Sequence, residues 1–289
     1  MEKIKSNLIS TVHYLSKDIG QRSYLDIASL HKTATYIETL FSSFGYEPIR
    51  QPYAYRGNTY QNIAVEAEGF DSSRNDLIVI GAHYDTVIGT SGADDNASGM
   101  AGLLELARLV RGNPISRTIH FVAFTLEEPP AFFTKNMGSY IYAKSLHEKG
   151  IEVYGMMSLE MLGYYSNRKN SQFHFPFSFL KWFFPDTGNF IAFVGNLSSR
   201  QFSSTLKKSF KAVSSFPVES LNTPWFIPGV YFSDNYSFWR FGYPAIMITD
   251  TAFMRNKNYH KDTDTAETLD YDKFAELIRG LFEALRELL

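Results

Sequence analysis

Residues 76–86, DLIVIGAHYDT, are apolar without the alternation of a half-buried strand, and they end on a histidine and an aspartate two positions apart. A short continuous apolar run is the mark of a strand covered on both faces, as in a parallel sheet flanked by helices. The design recurs at RTIHFVAFTLEE (117–128), IEVYGMMSLEM (151–161) and PAIMITDT (244–251). Helical patterns lie between these strands. Residues 97–111 carry Met100, Leu103, Leu104, Ala107 and Val110 on one face, 137–149 form another helix, and the last helix carries Phe274, Leu277, Ile278, Leu281, Phe282 and Leu285. Upstream, residues 28–44 read as a helix stopped by Gly45, and PIRQPYAYRG and TYQNIAVEAEG as a hairpin-like pair. The alternation predicts an α/β fold of three layers, a mostly parallel central sheet flanked by helices, in one domain over residues 1–289. An aromatic-rich insertion at about 164–188 interrupts the rhythm.

Composition narrows the chemistry. With 44% hydrophobic residues the chain can bury a sizeable core, and a net charge of −2 gives no basic field for nucleic acid or an anionic membrane. There are no cysteines, so thiolate metal sites, cysteine nucleophiles and disulfides are excluded, and any transition metal must use histidine and carboxylate. No apolar stretch reaches the ~18 residues of a membrane span, and the first twenty residues lack the apolar core of a signal peptide. The expected compartment is the cytoplasm for the chain as written, or outside the cell if a leader was trimmed. Nothing in the sequence sets an oligomeric state.

The polar residues gather where these strands end. His83 and Asp85 close one, Glu127 and Glu128 the next, Glu160 a third, and His260 follows the PAIMITDT strand; Asp94 and Asp95 precede the helix at 97. Ligands in open α/β sheets bind outside the carboxyl ends of the strands, so these groups are expected in one cleft. Two histidines and several carboxylates suit zinc, with manganese or cobalt as substitutes, and so many anions need cations beside them. Each motif alone has an ordinary reading: a hydrogen-bonded strand-end histidine, an Asx turn capping a helix, a charged turn stopped by prolines. Their convergence at separate strand ends argues for a site, and two metals suit it better than one. Consecutive Glu127 and Glu128 can both reach the cleft only where the strand ends, and Pro129 and Pro130 are expected to force that ending. The residues alone leave open which glutamate is base and which is ligand.

In this order, His83-x-Asp85, GADDNASG at 92–99, Glu127-Glu128, SLEM at 158–161, Ser233-Asp234 and Tyr259-His260 with Asp264-Thr265, the motifs resemble those of the two-zinc exopeptidases, which include bacterial leucyl aminopeptidases and glutamate carboxypeptidase. The match runs from about residue 28 to the C terminus. The resemblance implies that His83 and Glu160 bind one zinc, that Glu128 and His260 bind the other, and that Asp95 bridges them. It makes Asp85 the carboxylate behind His83, Glu127 the general base toward the attacking water, and Tyr259 a donor to the developing oxyanion. It also implies a cis peptide between Asp95 and Asn96. Two cations about 3.5–4 Å apart can acidify a shared water and polarise a scissile carbonyl.

This chain departs from the pattern at two positions. Glu160 stands where many aminopeptidases of the family carry aspartate, and Asn235 where many members carry histidine. The remaining histidines considered, His13, His31, His120 and His147, are read as structural.

Residues 171–184 hold six phenylalanines and a tryptophan, which read as a wall or lid over the cleft, a satellite core, or a contact surface; Trp225, Phe226 or Tyr231 are expected to extend that wall. Three functions follow: a metallo-exopeptidase acting on peptides, with an aminopeptidase for apolar N-terminal residues preferred; a glutaminyl-cyclase-like acyltransferase; and a non-catalytic binding module. Cyclases typically show Asp-Ser where this chain has Asp95-Asn96, and Trp where it has Tyr259. Binding modules lose ligands that are all present here. The carboxylates favour a substrate α-ammonium group, while Arg168, Lys169, Arg255, Lys257 and Lys261 are the loop cations that a substrate carboxylate would need.

Overall fold

The computed structural model describes residues 1–175 and 182–288. Helix α1 (Glu2–His13) and helix α2 (Ile27–Ser43) come first, the latter capped by Asp26, whose side chain accepts from the Ser29 amide. Strands β1 (Ile49–Tyr55) and β2 (Asn58–Ala67) form the expected antiparallel pair. Then follow β3 (Leu77–His83), α3 (Gly99–Gly112), β4 (Ile119–Phe124), α4 (Gly138–Glu148) and β5 (Val153–Glu160). The chain continues through β6 (Ile191–Asn196), α5 (Arg200–Val213), β7 (Val218–Thr223), α6 (Asn235–Trp239), β8 (Ala245–Thr249) and α7 (Tyr271–Arg286).

All eight strands belong to one mixed sheet in the order β1-β2-β4-β3-β5-β8-β6-β7. Its centre, β4-β3-β5-β8, is wholly parallel. Strands β1 and β2 add antiparallel pairs on one side; β6 runs antiparallel to β8 on the other and carries β7 parallel to itself. The carboxyl ends of β3, β4, β5 and β8 therefore open on one edge of the sheet, and this is the feature that positions the site.

The unbroken hydrophobicity of β3 is explained by its two faces. Ile78, Ile80 and Ala82 belong to the core that α1, α2, α3, α5 and α7 also line, with α3 against β3, while Leu77 and Val79 belong to the core on the other face with Tyr142 and Leu146 of α4 and Phe238 of α6. Helices thus cover both faces, giving three layers. Gly81 is required by this packing: a Cβ there would meet Phe124 Cε2 at 2.2 Å. Among the described residues no helix is long and apolar enough to cross a membrane.

Four elements were not anticipated: β6, α5, β7 and the short helix α6. β6, α5 and β7 follow the aromatic-rich stretch, which occupies the connection between β5 and β6 with no α-helix or strand of its own among its described residues. Strand β4 also stops earlier than its sequence suggests. It ends at Phe124, and the chain is broken by Leu126 in a left-handed conformation (φ 58°), three residues before Pro129. The prolines reinforce a turn that Leu126 has already made.

Candidate metal centre

The sheet edge brings all five predicted ligands together. His83 Nε2 lies 3.4 Å from Asp95 Oδ1 and 3.4 Å from Glu160 Oε2. His260 Nε2 lies 3.0 Å from Asp95 Oδ2 and 3.6 Å from Glu128 Oε2. The two oxygens of one carboxylate thus face two different histidines, each with its own glutamate. In His83/Asp95/Glu160 and again in Asp95/Glu128/His260, the donor atoms all lie within 4.8 Å of one another. Glu127 stands at the margin, with Oε2 3.9 Å from His83 Nε2; it also groups with His83 and Glu128. Four of the five are buried, while the side chain of His260 is 32% exposed, so this ligand closes the site from the solvent side.

Local conformation delivers these side chains. Leu126, Met161 and His260 are all left-handed, with φ of 58°, 52° and 58°. Non-glycine residues rarely adopt that region and concentrate at functional sites. Leu126 turns the backbone immediately before the Glu127-Glu128 pair and Met161 immediately after Glu160, so each ends its strand where the pleat would otherwise carry the next side chain to the opposite face.

The supporting hydrogen bonds are more specific than the motifs revealed. Asp85 does sit behind His83, whose Nδ1 is 3.1 Å from the Asp85 main-chain oxygen and 3.6 Å from its Oδ1. Its carboxylate also accepts from the amides of Glu127 and Glu128, at 3.1 Å each. One residue therefore orients a ligand of the first group, through its main-chain oxygen, and the turn that carries Glu127 and Glu128, through its carboxylate. Asn96, whose bond to Asp95 is cis, accepts from the Met161 amide at 3.0 Å and donates to Leu159 O at 3.0 Å, gripping the residues on either side of Glu160. Asp264 accepts from the amides of Asp94 and Asp95, fixing the shared carboxylate from behind. Ser233 donates to Glu160 Oε2 at 2.7 Å. The roles of Asn96, Asp264 and Ser233 were hidden in sequence because each depends on a partner at least 60 residues away.

Asp85→Asn supplies a test of this bracing. Asparagine has a single acceptor oxygen and turns an N–H toward one of the two amides. Retention of metal is expected to fall by about 10- to 100-fold, the usual effect of removing a group that orients ligands, as measured by chelator competition on the folded variant.

The electrostatics show what the cluster requires. Burial, joined by Glu128 and Glu160, pushes the Glu127 carboxyl well above its usual range; burial, joined by Asp95, does the same to Glu128. Burial would depress His83, but Glu160 and Glu127 outweigh it and raise the imidazole. Burial likewise opposes ionisation of Asp95, and the imidazoles of His260 and His83 outweigh it, holding that carboxyl below the carboxylate range. The cluster demands positive charge at its centre. His83 Nε2 and Glu128 Oε1 are buried with no hydrogen-bond partner. Orphaned donors of this kind, with no sulfur among them, fit divalent zinc. Tyr259 is raised by burial and by Asp95 and Glu128, so its phenol stays protonated and able to donate; its ring stacks on His260 at 3.7 Å.

Beside the centre lies an apolar cavity of about 230 Å³. Val194, Leu221 and Met247 line it from β6, β7 and β8, with Phe175, Val230 and Phe253 among the other walls. Glu160 and Tyr259 line both this cavity and the metal cleft. Part of the aromatic stretch does form wall: Phe175 lines this cavity and Phe184 a smaller neighbour, whereas Phe173, Trp182 and Phe183 are exposed. Phe177 and Phe179 lie outside the described residues. The expected wall residues Trp225, Phe226 and Tyr231 do not line the cavity; Ile227, Pro228, Gly229, Val230 and Phe232 do, because the turn at 224–227 leaves Trp225 and Phe226 in solvent. Of the candidate loop cations, Arg255 is buried and held by Gln172 and Phe190 O, and none of the five lines the cavity or the cleft.

Paired histidine–carboxylate groups at the carboxyl edge of this mixed sheet are the donor set of a metalloenzyme. The chain belongs to peptidase family M28, whose model matches residues 62–285. It is 41% identical over 286 residues, 96% of this chain and 86% of the relative, to uncharacterized protein YfbL of Escherichia coli. It is 34% identical over 99 residues to aminopeptidase YwaD of Bacillus subtilis and 26% identical over 228 residues to leucine aminopeptidase 1 of Arthroderma otae. Those matches cover 34% and 73% of this chain, and 21% and 54% of the two aminopeptidases. The zinc aminopeptidase BSAP of Bacillus subtilis superimposes with a TM-score of 0.76 at 15% identity, covering 98% of this chain and 94% of that one. A glutaminyl cyclase of Bacteroides thetaiotaomicron superimposes with a TM-score of 0.73 at 18% identity, covering 98% and 97%. Both structures share the fold.

Proposed function

We propose that this protein is a two-metal aminopeptidase that releases large apolar N-terminal residues. The observation that carries the reading is the placement of Asp95, with one carboxylate oxygen toward each histidine and a glutamate completing each set. His83, Asp95 and Glu160 would hold one zinc, and Asp95, Glu128 and His260 the other. Divalent metal held there supplies Lewis acidity toward the scissile carbonyl and acidifies water at neutral pH.

The chain's own residues do the rest. Glu127, in the same cleft but apart from the two sets that share Asp95, takes a proton from the attacking water and delivers it to the leaving amine. The Tyr259 phenol donates to the oxygen that gains charge as the carbonyl carbon becomes tetrahedral. Asp85 holds the imidazole of His83 and the Glu127-Glu128 turn in register. The cavity receives the first side chain. Among the described residues Glu160 is the one charged lining group, so the lip of an apolar pocket bears an anion suited to an α-ammonium group.

A panel of substrates on zinc-loaded protein tests this. Leucyl and phenylalanyl p-nitroanilides are expected to exceed the alanyl compound by about 10- to 200-fold in kcat/KM, the range that added apolar groups give in a pocket, with aspartyl and lysyl compounds slower still. Ammonia release from N-terminal glutaminyl peptides without amide hydrolysis would replace this reading with the cyclase one.

A further inference from the structure

We propose that Arg22 is a positioning residue for the metal centre: its buried guanidinium fixes the separation between the end of β3 and the turn that carries Asp95, and thereby sets how tightly metal is held. The inference rests on the metal-binding reading above.

Arg22 is fully buried and among the largest side chains that are. Its side chain makes five hydrogen bonds, all to main-chain carbonyls: Nε to Tyr84 at 2.8 Å, Nη1 to Leu15, Gly20 and Ser91 at 2.7, 2.7 and 2.9 Å, and Nη2 to Gly92 at 3.0 Å. Its main chain adds two more crosslinks, the amide to Thr86 Oγ1 at 3.0 Å and the carbonyl from the Thr86 amide at 3.3 Å. Three segments meet on one residue. Tyr84 lies between His83 and Asp85, and Ser91 and Gly92 enter the turn that ends at Asp95. The N-terminal stretch around Leu15 and Gly20 backs the guanidinium.

Nothing about packing alone calls for a charge here. A buried cation is costly unless every donor is matched, and an apolar side chain of similar volume would often serve stability as well. The matched groups, however, belong to the two ligand-bearing segments. From the far side, Asp264 accepts from Asp94 and Asp95, and its carbonyl accepts from Ser91 Oγ at 2.6 Å. The Asp95 turn is thus clamped between a guanidinium and a carboxylate. The fit is tight: Gly92 has φ 57°, and a Cβ there would meet Asp95 O at 2.2 Å and Arg22 Nη2 at 3.1 Å. Burial lowers the guanidinium to about 10, while Asp264, Asp85, Asp95 and Glu128 oppose that shift, so it stays charged beside the carboxylate cluster. Lysine keeps the charge but not the planar fork, and cannot span these carbonyls at once.

The test compares Arg22→Lys with Arg117→Lys. Arg117 is also buried, bonded to Asp76 at 2.8 Å and stacked over Tyr154, but it precedes β4 at the opposite edge of the sheet. Zinc affinity is read by chelator competition below each variant's melting temperature, with the visible spectrum of the cobalt-substituted protein as a second readout. Arg22→Lys is expected to weaken zinc by about 10- to 100-fold and to alter the cobalt bands; Arg117→Lys is expected to melt lower with affinity unchanged. Should Arg22→Lys fail to fold, Thr86→Val removes one bond of the same crosslink and is expected to weaken zinc by a smaller factor. A folded Arg22→Lys or Thr86→Val variant with wild-type affinity and bands would overturn the inference alone. Wild-type protein that retains no zinc would overturn the metal reading and this inference with it.

Discussion

Glu127→Gln is expected to keep the fold and the metals and to lose turnover by ~10²- to 10⁴-fold, the usual contribution of a general base. Glutamine is isosteric and neutral, so a loss of rate without a loss of metal isolates the proton-transfer role. Glu128→Gln is the matched control. Its Oε2 faces His260 across 3.6 Å, and its Oε1 is buried without a partner, so this carboxylate is placed to bind rather than to move protons. That variant should release metal and lose activity in step with occupancy. Kinetics on metal-loaded protein and metal analysis of the same samples decide between them. A Glu127→Gln protein that sheds metal beside a Glu128→Gln protein that retains it would reverse the two assignments.

Blocking the substrate's amine is expected to abolish cleavage almost completely. The cavity wall is apolar, and among the described residues its single charged lining group is Glu160. A free α-ammonium group can pair with the Glu160 carboxylate at the pocket's lip, whereas an acetylated amine forfeits that attraction. Sites built around a specific polar partner reject analogues that lack it by ~10⁴-fold, so leucyl-p-nitroanilide and its N-acetyl derivative should differ by at least ~10²-fold in kcat/KM. A carboxypeptidase would instead require a cation near the cleft, and Arg168, Lys169, Arg255, Lys257 and Lys261 do not supply one. Equal cleavage of the two compounds, or release of C-terminal residues from N-blocked peptides, would rule out the aminopeptidase direction.

What the sequence disclosed, and what it withheld, follows from the range of the interactions involved. β3, β5 and β8 are read easily because strands buried on both faces must be apolar throughout, and the residues that end this pattern are the ones that protrude into the cleft. Glu127 and Glu128 are legible for the same reason, whereas Asp95 lies in the turn before α3 and its role, like the choice between the two glutamates, came from the order of the motifs. β6 is apolar too, but it follows the aromatic stretch, where hydrophobicity has no period to read against. α5 offers only Phe202, Leu206 and Phe210 as a stripe among polar residues, and β7, VESLNT, is an edge strand without a fully apolar face. These unread strands supply Val194 and Leu221 to the cavity, so the specificity pocket was less visible than the metal ligands. Arg22 was invisible for another reason. Its partners are main-chain carbonyls, which carry no sequence signal, and its neighbours in the chain form no motif.

The most direct test of the central claim is the metal content of the purified, metal-replete protein alongside its sensitivity to chelation. The geometry around Asp95 predicts two divalent ions per chain, and hydrolysis of leucyl-p-nitroanilide that is lost to chelators and restored by zinc. One ion per chain or none, with activity untouched by chelators, would contradict the account.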